Sequence, residues 1–347
     1  MIFYIIKNLS LKKTYILHYY FLMRVNMMVS RINRLFFNIL LLITGVNVQQ
    51  SMAQDPLFSQ FFYNALYLNP ANAGAANDPR IFLSYRNQWP AFGSTFVTYH
   101  GSYDQYIKSI QGGLGINIIR DNVAGGIINS TKVDLIYARR YTINFDWTLQ
   151  AGLQTSFNFF GVSADGLNAN LPNYATTQLD VGTGILAYSR FSQWGLSIDH
   201  LNTGFIKVNP TFVPMPLKIS LYYSRNFKVF NPRVINSRTY IVSPALLVQK
   251  QGSSLYVNYG LGVRYETILG AVFVRTNVPL QVTNTIFALG VTLGSWQLGY
   301  SYDYNLLWLK NQMPFTGAHE VTLTRTFPPD PTRQRYGPVP CPKFVSE

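Results

Sequence analysis

Histidine and acidic side chains that could carry acid–base catalysis are few in this chain. Three of the four histidines lie beyond residue 53, and two of these have an acidic neighbour in the sequence. The two pairs are Asp199 with His200, and His319 with Glu320. Because consecutive side chains of a strand point to opposite faces, we predict that neither pair forms a direct acid–base couple.

Other catalytic arrangements are equally sparse. A barrel hydrolase in which His100, Asp199 and Asp303 meet at one rim is an alternative, but no nucleophile or phosphate-binding motif accompanies these residues. The only cysteine is Cys341, so no disulfide can form within the chain, and no Cys/His spacing is typical of a metal site. We therefore predict that the protein is not an enzyme and that it uses no metal and no cofactor.

The elements that contain these residues have the two-residue period of β-strands. Residues 296–304 are the clearest example, because their side chains separate into an apolar, aromatic face and a polar face. The first face carries Trp296, Leu298, Tyr300, Tyr302 and Tyr304, and the second carries Gln297, Gly299, Ser301 and Asp303. The first face suits contact with lipid, and the second suits a polar interior.

The composition also indicates a membrane barrel. The chain is 48% hydrophobic and 12% charged, whereas soluble domains carry roughly a quarter charged residues. Beyond the N-terminal leader, no segment supplies the ~20 apolar residues of a transmembrane helix. Strand candidates lie near 80–88, 94–104, 112–120, 131–141, 146–158, 178–190, 193–202, 216–228, 238–249, 253–266, 268–276, 283–293, 295–304 and 317–327. We predict an all-β fold: a transmembrane antiparallel β-barrel of about fourteen strands, of the outer-membrane type, over residues 80–327.

Residues 1–53 have the pattern of a secretory signal peptide. Arg31 and Arg34 precede a short apolar run, and Ser51-Met52-Ala53 places small residues at the two positions that a signal peptidase recognises. The apolar run is too short for a membrane anchor, so we predict cleavage after Ala53 and an integral location in the outer membrane. The leader is unusually long, and a start at a later methionine is an open alternative.

The segments before and after the predicted barrel differ from it in composition. Residues 54–79 are rich in Asn, Pro and aromatic residues, and residues 328–347 are rich in proline. The aromatic residues of the first segment that could contact a partner are Phe58, Phe61, Phe62, Tyr63 and Tyr67. In the periplasm they would form an exposed apolar patch; the slightly favoured alternative is that they plug the lumen or pack on its lower rim. The last segment is predicted to be an extended periplasmic tail.

The strands also offer candidate contacts with partners. Arg86 and Trp89, near the end of the first strand, are predicted to face the outer side and to contact a partner. The net charge is +14, with six of the cations in the leader and the others scattered singly. This scatter favours anionic lipid headgroups or an acidic partner over nucleic acid. The inward positions are mostly glycine and neutral polar residues, as expected where the wall curves or the lumen is filled.

Several stretches resemble a known family. Residues 54–61, 69–74 and 85–90, with weaker support from 112–115 and 317–320, resemble the PorP/SprF family of outer-membrane proteins associated with type IX secretion. The resemblance implies a barrel that helps to secrete, or attaches to the cell surface, cargo such as adhesins, in gliding motility or surface display. It also implies partners among the components of the type IX machinery. The alternative is an outer-membrane channel for small-solute uptake.

Overall fold

A computed structural model describes residues 54–76, 78–90, 96–163, 173–202, 205–208, 211–229, 240–277, 281–306, 317–328 and 341. The predicted signal peptide and its cleavage site lie outside the described residues, as does most of the predicted tail. The strands are β1 Arg80–Gln88, β2 Phe96–Ile107, β3 Gly112–Val123, β4 Ile128–Thr142, β5 Thr148–Val162, β6 Tyr174–Tyr188, β7 Ser192–Asp199, β8 Phe205–Val208, β9 Thr211–Pro214, β10 Lys218–Arg225, β11 Phe227–Val229, β12 Tyr240–Gln251, β13 Ser254–Tyr265, β14 Ile268–Asn277, β15 Gln281–Leu293, β16 Trp296–Asn305 and β17 Ala318–Thr326.

These strands form a closed antiparallel barrel. Fourteen strand positions of the described chain make up the ring, because β11 continues β10 after Asn226 and both pair with β12. The ring closes where β1 pairs with β17, and β7 pairs directly with β10. The short strands β8 and β9 form a separate hairpin within the β7–β10 connection. The predicted all-β barrel of about fourteen strands is confirmed.

The two faces of the wall follow the predicted alternation. In β16, Leu298 is 48% exposed and Tyr300 is 42% exposed on the outside, whereas Ser301 and Asp303 are at most 1% exposed on the inside. Burying outward apolar side chains in lipid removes them from water, and the closed ring satisfies the backbone hydrogen bonds. Among the described residues, no helix is long and apolar enough to cross a membrane.

The two ends of the barrel differ in their connections. The end where β1 begins is termed the lower rim, and the other end the upper rim. Short links occur at both rims, for example β13–β14 at the lower rim and β12–β13 at the upper rim, but the three longest links, β5–β6, β7–β10 and β16–β17, all lie at the upper rim. Outer-membrane barrels have their longer loops on the outer side, so this arrangement suits a lower rim that faces the periplasm.

The apolar core of the protein lies inside this ring. Residues 54–76 enter the lumen and are termed the plug segment. It contains one helical turn, α1 Ala65–Leu68, and a 3-10 turn, Pro70–Asn72. Phe61, Phe62 and Leu68 are buried in one cluster with inward side chains of the wall.

Candidate functional site: the plug segment and its contacts

The aromatic residues singled out from the sequence lie inside the barrel. Phe58, Phe61 and Phe62 are buried, and Tyr63 and Tyr67 are half-buried. Phe61 and Phe62 both pack on Phe273 of β14, with ring centroids 5.0 and 5.3 Å apart. These side chains therefore form no exposed apolar patch; the plug alternative describes their placement.

Glycines of the wall make room for the plug segment. At several inward positions, an added Cβ atom would collide with plug atoms. The colliding pairs are Gly113 with Ala73, Gly152 with Ala71, Gly184 with Asn69, and Gly299 with Gln60. A side chain at these positions would displace the plug or the wall, so the glycine-rich inner face is explained by a filled lumen.

The Asn-Pro turn of the plug is fixed by hydrogen bonds to itself and to the wall. The Asn69 side chain accepts from the backbone N–H of Ala71 at 2.8 Å, which caps the 3-10 turn. Its amide nitrogen donates to the backbone carbonyls of Ile185 and Leu196 at 3.0 and 3.2 Å. The side-chain oxygen of Asn69 therefore stabilises the local turn, and its side-chain nitrogen binds the barrel wall.

Gly74 completes the turn at a point of close approach. Its φ of +66° lies in the left-handed region, and an added Cβ would collide with the backbone of Tyr106 and Gly113. The Gly74 N–H donates to Asp104 Oδ2 at 2.8 Å, and the Arg140 guanidinium donates to the Gly74 carbonyl at 2.6 Å. Only glycine meets both requirements at this position.

Four charged side chains of the wall form a buried cluster inside the barrel. Arg86 of β1 lies 2.9 Å from Asp303 of β16 and 3.5 Å from Glu320 of β17. Arg275 of β14 lies 3.4 Å from the same Asp303 oxygen. Two arginines thus face two carboxylates, so the buried charges are balanced. Arg86 is 4% exposed, which corrects its predicted role as an accessible partner contact.

This cluster also holds the beginning of the plug. Glu320 accepts from the backbone N–H groups of Ser59 and Gln60 at 2.7 and 3.3 Å. Arg275 donates to the Phe58 carbonyl at 3.2 Å. His319, the neighbour of Glu320, lies on the other face of β17, where its Nδ1 is 2.9 Å from the Tyr300 hydroxyl, so the predicted separation of His319 and Glu320 is confirmed.

A second charged cluster holds Asp55, near the start of the plug. The Lys218 ammonium and His200 Nε2 lie 2.9 and 3.2 Å from Asp55 Oδ2, and His200 Nδ1 lies 2.7 Å from Asp180 Oδ2. Burial opposes ionisation of Asp55, but the charges of Lys218 and His200 outweigh it and hold the pKa of Asp55 well below its usual value. Burial likewise lowers the pKa of His200, but Asp55 and the hydrogen bond with Asp180 raise it to about 9.

The prediction that Asp199 and His200 point to opposite faces is wrong. His200 is the first residue after β7 and has a φ of 62°, so the alternation of the strand ends before it. Both side chains are buried inside the barrel. They nevertheless form no catalytic couple, because the histidine nitrogens lie against Asp55 and Asp180.

The residues of the alternative hydrolase site do not converge. His100 Nδ1 lies 2.8 Å from the side-chain oxygen of Asn64 in the plug, Asp199 lies 3.8 Å from Lys218, and Asp303 faces two arginines. Each group is thus occupied by a different structural partner. Among the residues that the structure describes, no group of His, Cys, Asp and Glu side chains is arranged to hold a metal.

A cavity of about 210 Å³ opens at the upper rim above the plug. Leu57 of the plug, Arg86, Arg275 and Asp303 line it together with Trp89. Trp89 has a φ of 57°, which turns the chain out of β1, and it packs edge-on against Phe96 with ring centroids 5.1 Å apart. Trp89 therefore borders the mouth of the barrel, whereas the plug aromatics lie below it.

One residue of the predicted tail, Cys341, lies against the plug. Cys341 donates its backbone N–H to the Ala75 carbonyl at 2.9 Å and is buried beside Leu186 and Tyr188. Burial raises the pKa of its thiol to about 12. At Cys341 the chain is therefore packed against the plug, while the predicted tail between residues 328 and 341 and after 341 lies outside the described residues.

Single charged residues on the inward faces of the strands are the sequence signal for the two charged clusters. Arg86, Asp303 and Glu320 all occupy positions of the polar, inward face of their strands. A barrel that buries single charges on different strands must pair them across the lumen or with a plug. Arg86 and Glu320 are register partners in the β1–β17 pairing that closes the ring, so this pair follows from closure and not from the pattern of either strand alone.

The chain is similar to one family of known proteins. Residues 50–324 match the family described as type IX secretion system membrane protein PorP/SprF. No curated protein matches the chain.

Some solved structures are similar. The CymD monoaromatic hydrocarbon channel is 9% identical with a TM-score of 0.45, and 76% of this chain and 93% of that chain are covered. The toluene transporter TodX of P. putida is 9% identical with a TM-score of 0.46, over 76% of this chain and 94% of that one. A FadL homologue of Pseudomonas aeruginosa is 12% identical with a TM-score of 0.42, over 76% and 94%.

Proposed function

Because the chain belongs to the PorP/SprF family of type IX secretion system membrane proteins, we propose that it is a non-enzymatic component of that system which aids the secretion or cell-surface attachment of a cargo such as an adhesin. Its partners are then components of the type IX machinery and one cargo protein, and its surroundings are outer-membrane lipid. Gliding motility or surface display is the process that such a cargo would serve.

The filled lumen is the observation that carries the proposed role. Phe61, Phe62 and Leu68 of the plug are buried against the wall, and Asp55 and Ser59 are held by buried charged groups at either side of the lumen. A protein chain cannot pass through a lumen that is packed in this way. The barrel therefore supports a role as a docking or anchoring platform for the cargo, with transport through another component.

Contact with the cargo is proposed at the upper rim rather than at the plug aromatics. The five aromatic residues of the plug are covered by the wall, so in this state they stabilise the barrel interior. Trp89 borders the mouth and lines the cavity there. Tryptophan is enriched at protein interfaces, where its large ring provides apolar contact area, so Trp89 remains the candidate contact from the sequence.

The alternative function is a channel for small-solute uptake. The cavity at the upper rim favours it, because a solute could enter there from the outer side. Such a solute meets Leu57 and the charged cluster at the floor of the cavity, and passage would require the plug to move. The two functions therefore make opposite predictions for the conductance of the intact protein.

Deletion and reconstitution distinguish the two functions. We expect that cells lacking the protein fail to display one partner cargo, measured by surface fluorescence of the labelled cargo, and that small-solute uptake is unchanged. Purified protein in planar bilayers should show only low conductance. Normal cargo display together with a large, steady conductance would contradict the proposed role and favour the channel.

A further inference from the structure

Exposed cations lie on the outer surface of the barrel at several points around its lower rim. At this rim, five of the six hairpin connections between described strands have an exposed cation on or beside them. In chain order these cations are Lys108, Arg139, Arg190, Arg225 and Arg325. The five hairpins lie on more than one side of the ring, so the cations do not form a single patch.

Four of these arginines lie over aromatic rings at the same rim. Arg325 lies 4.8 Å from the ring centroids of both Trp296 and Phe327. The corresponding distances are 5.0 Å for Arg225 over Phe227, 5.6 Å for Arg190 over Phe191, and 5.8 Å for Arg139 over Tyr141. These four arginines and their rings are termed the belt. Arginine at such distances is attracted to the ring face while its N–H groups remain available as donors.

The charge of the belt is not neutralised by acidic side chains of the described chain. None of the ion pairs between described residues involves a belt arginine. The described carboxylates near this rim outside the lumen are Asp78, Asp146 and Glu266, against five outward-facing cations. At the upper rim, the exposed or half-exposed described cations of the wall are Arg120 and Lys250. Among the described residues, exposed positive charge is therefore greater at the lower rim than at the upper rim.

The geometry points to a lipid as the ligand of the belt. We propose that the lower rim binds the phosphate headgroups of anionic phospholipids in the periplasmic leaflet. Aromatic girdles of outer-membrane barrels lie at the boundary between hydrocarbon and headgroups, so an arginine stacked on such a ring is held at the level of the phosphates. The guanidinium forms charge-assisted, bidentate hydrogen bonds with phosphate oxygens.

The distribution of the cations favours lipid over an acidic protein. A protein partner would cover one sector of the rim, whereas lipid headgroups surround the whole barrel. The outward-facing cations lie on or next to β2, β4, β6, β10 and β17, on more than one side of the ring. Anionic lipid surfaces attract clustered Lys and Arg residues in this way, and the attraction decreases with salt.

Native mass spectrometry of the full-length protein tests this proposal. The detergent-solubilised protein is exposed to an equimolar mixture of phosphatidylglycerol and phosphatidylethanolamine. We expect it to retain several phosphatidylglycerol molecules in preference to phosphatidylethanolamine. The combined variant Arg139→Gln, Arg190→Gln, Arg225→Gln and Arg325→Gln should retain at most about one third as much phosphatidylglycerol as the wild-type protein.

Two further variants separate charge from folding and from position. The same four positions changed to Lys should retain most of the phosphatidylglycerol, because the positive charge is kept. Arg120→Gln with Lys250→Gln, at the upper rim, should leave retention unchanged. If the fourfold Gln variant does not fold, Arg325→Gln alone is compared with Arg120→Gln.

Four outcomes would overturn the proposal. They are equal retention of the two lipids by the wild-type protein, unchanged retention in the belt variant, an equal loss in the upper-rim control, and preferential capture of lipopolysaccharide by the belt. Lipopolysaccharide capture would place this rim in the outer leaflet. Loss of an acidic periplasmic protein in the belt variant, without lipid selectivity in the wild type, would assign the belt to that protein.

Discussion

At the scale of single residues, the stability of the plug depends on charges that are buried and paired. Glu320 is fully buried, faces Arg86, and accepts two backbone N–H groups of the plug. Removing one partner of a buried pair leaves the other charge uncompensated, which typically costs about 3–5 kcal/mol. The cluster is therefore a point where the barrel wall and the plug are coupled.

We predict that Glu320→Ala destabilises the protein by about 3–5 kcal/mol, because Arg86 and two plug N–H groups lose their acceptor. Urea unfolding of the reconstituted barrel, followed by tryptophan fluorescence, measures the change. His319→Ala is the matched control, since His319 is adjacent in sequence and lies on the outer face. It should cost less than about 1 kcal/mol. Equal losses in the two variants would show that the facing of β17 is not what determines the effect.

The cluster around Asp55 predicts a pH dependence. The pKa of His200 in the folded protein is about 9, above its ordinary value of 6.5, so the protonated form is the one that folding favours. The stabilisation is complete below pH 6.5 and is lost as pH rises through about 9, in total roughly 1–3 kcal/mol. Asp55 has a lowered pKa and contributes in the other direction, losing its stabilisation only in acid.

Unfolding of the wild-type protein and of His200→Asn at about pH 6 and pH 9.5 measures this effect. The wild type should lose more stability than the variant between the two values, because only the wild type releases the His200 proton. Parallel pH profiles for the two proteins would contradict the assignment of a charged His200.

At the scale of elements, the strands were predictable and the plug was only partly so. The candidate at 80–88 coincides with β1, and those at 253–266 and 295–304 differ from β13 and β16 by one residue at each end. The two-residue period identifies such strands because one face meets lipid and the other a polar interior. The aromatic residues of the plug did not predict its position, because aromatic rings are equally suited to packing inside a lumen and to contact with a partner protein.

The two failures of prediction have different physical reasons. His200 follows Asp199, but a left-handed φ at His200 ends the strand, and the alternation no longer applies. Arg86 was expected at an accessible surface because it lies near a strand end, yet its side chain lies on the inward face of β1 and pairs there with charges on β16 and β17. The first failure depends on the backbone conformation of one residue, and the second on which strands meet when the ring closes.

Wall glycines provide a test at the scale of elements. We predict that Gly152→Val destabilises the barrel by roughly 1–3 kcal/mol or more, because its side chain would collide with the backbone of Pro70 and Ala71 in the plug. Gly161→Val is the matched control on the same strand, where an added Cβ makes only an ordinary contact at 3.6 Å. Limited proteolysis of residues 54–76, with thermal unfolding, measures both effects. Resistance of the plug to protease in Gly152→Val would contradict a tightly filled lumen.

At the scale of the whole molecule, the two rims have different chemistry. Among the described residues, the lower rim carries more exposed cations, while the upper rim carries the cavity, Trp89 and the three longest connections. The plug between them is held by charges and by close packing. Such a molecule is suited to contact lipid headgroups with its lower rim and a partner protein with its upper rim.

If the upper rim presents the cargo site, Trp89 should matter for display and not for folding. We predict that Trp89→Ala reduces surface display of the partner cargo several-fold, because an apolar anchor at the mouth is lost. Its barrel should still migrate as a folded, heat-modifiable species on gels. Trp194→Ala is the control, because Trp194 is exposed at the lower rim, where it packs on Tyr223 with ring centroids 4.0 Å apart. Normal display in Trp89→Ala, or an equal loss in both variants, would remove Trp89 from the cargo site and shift the search to the long connections of the upper rim.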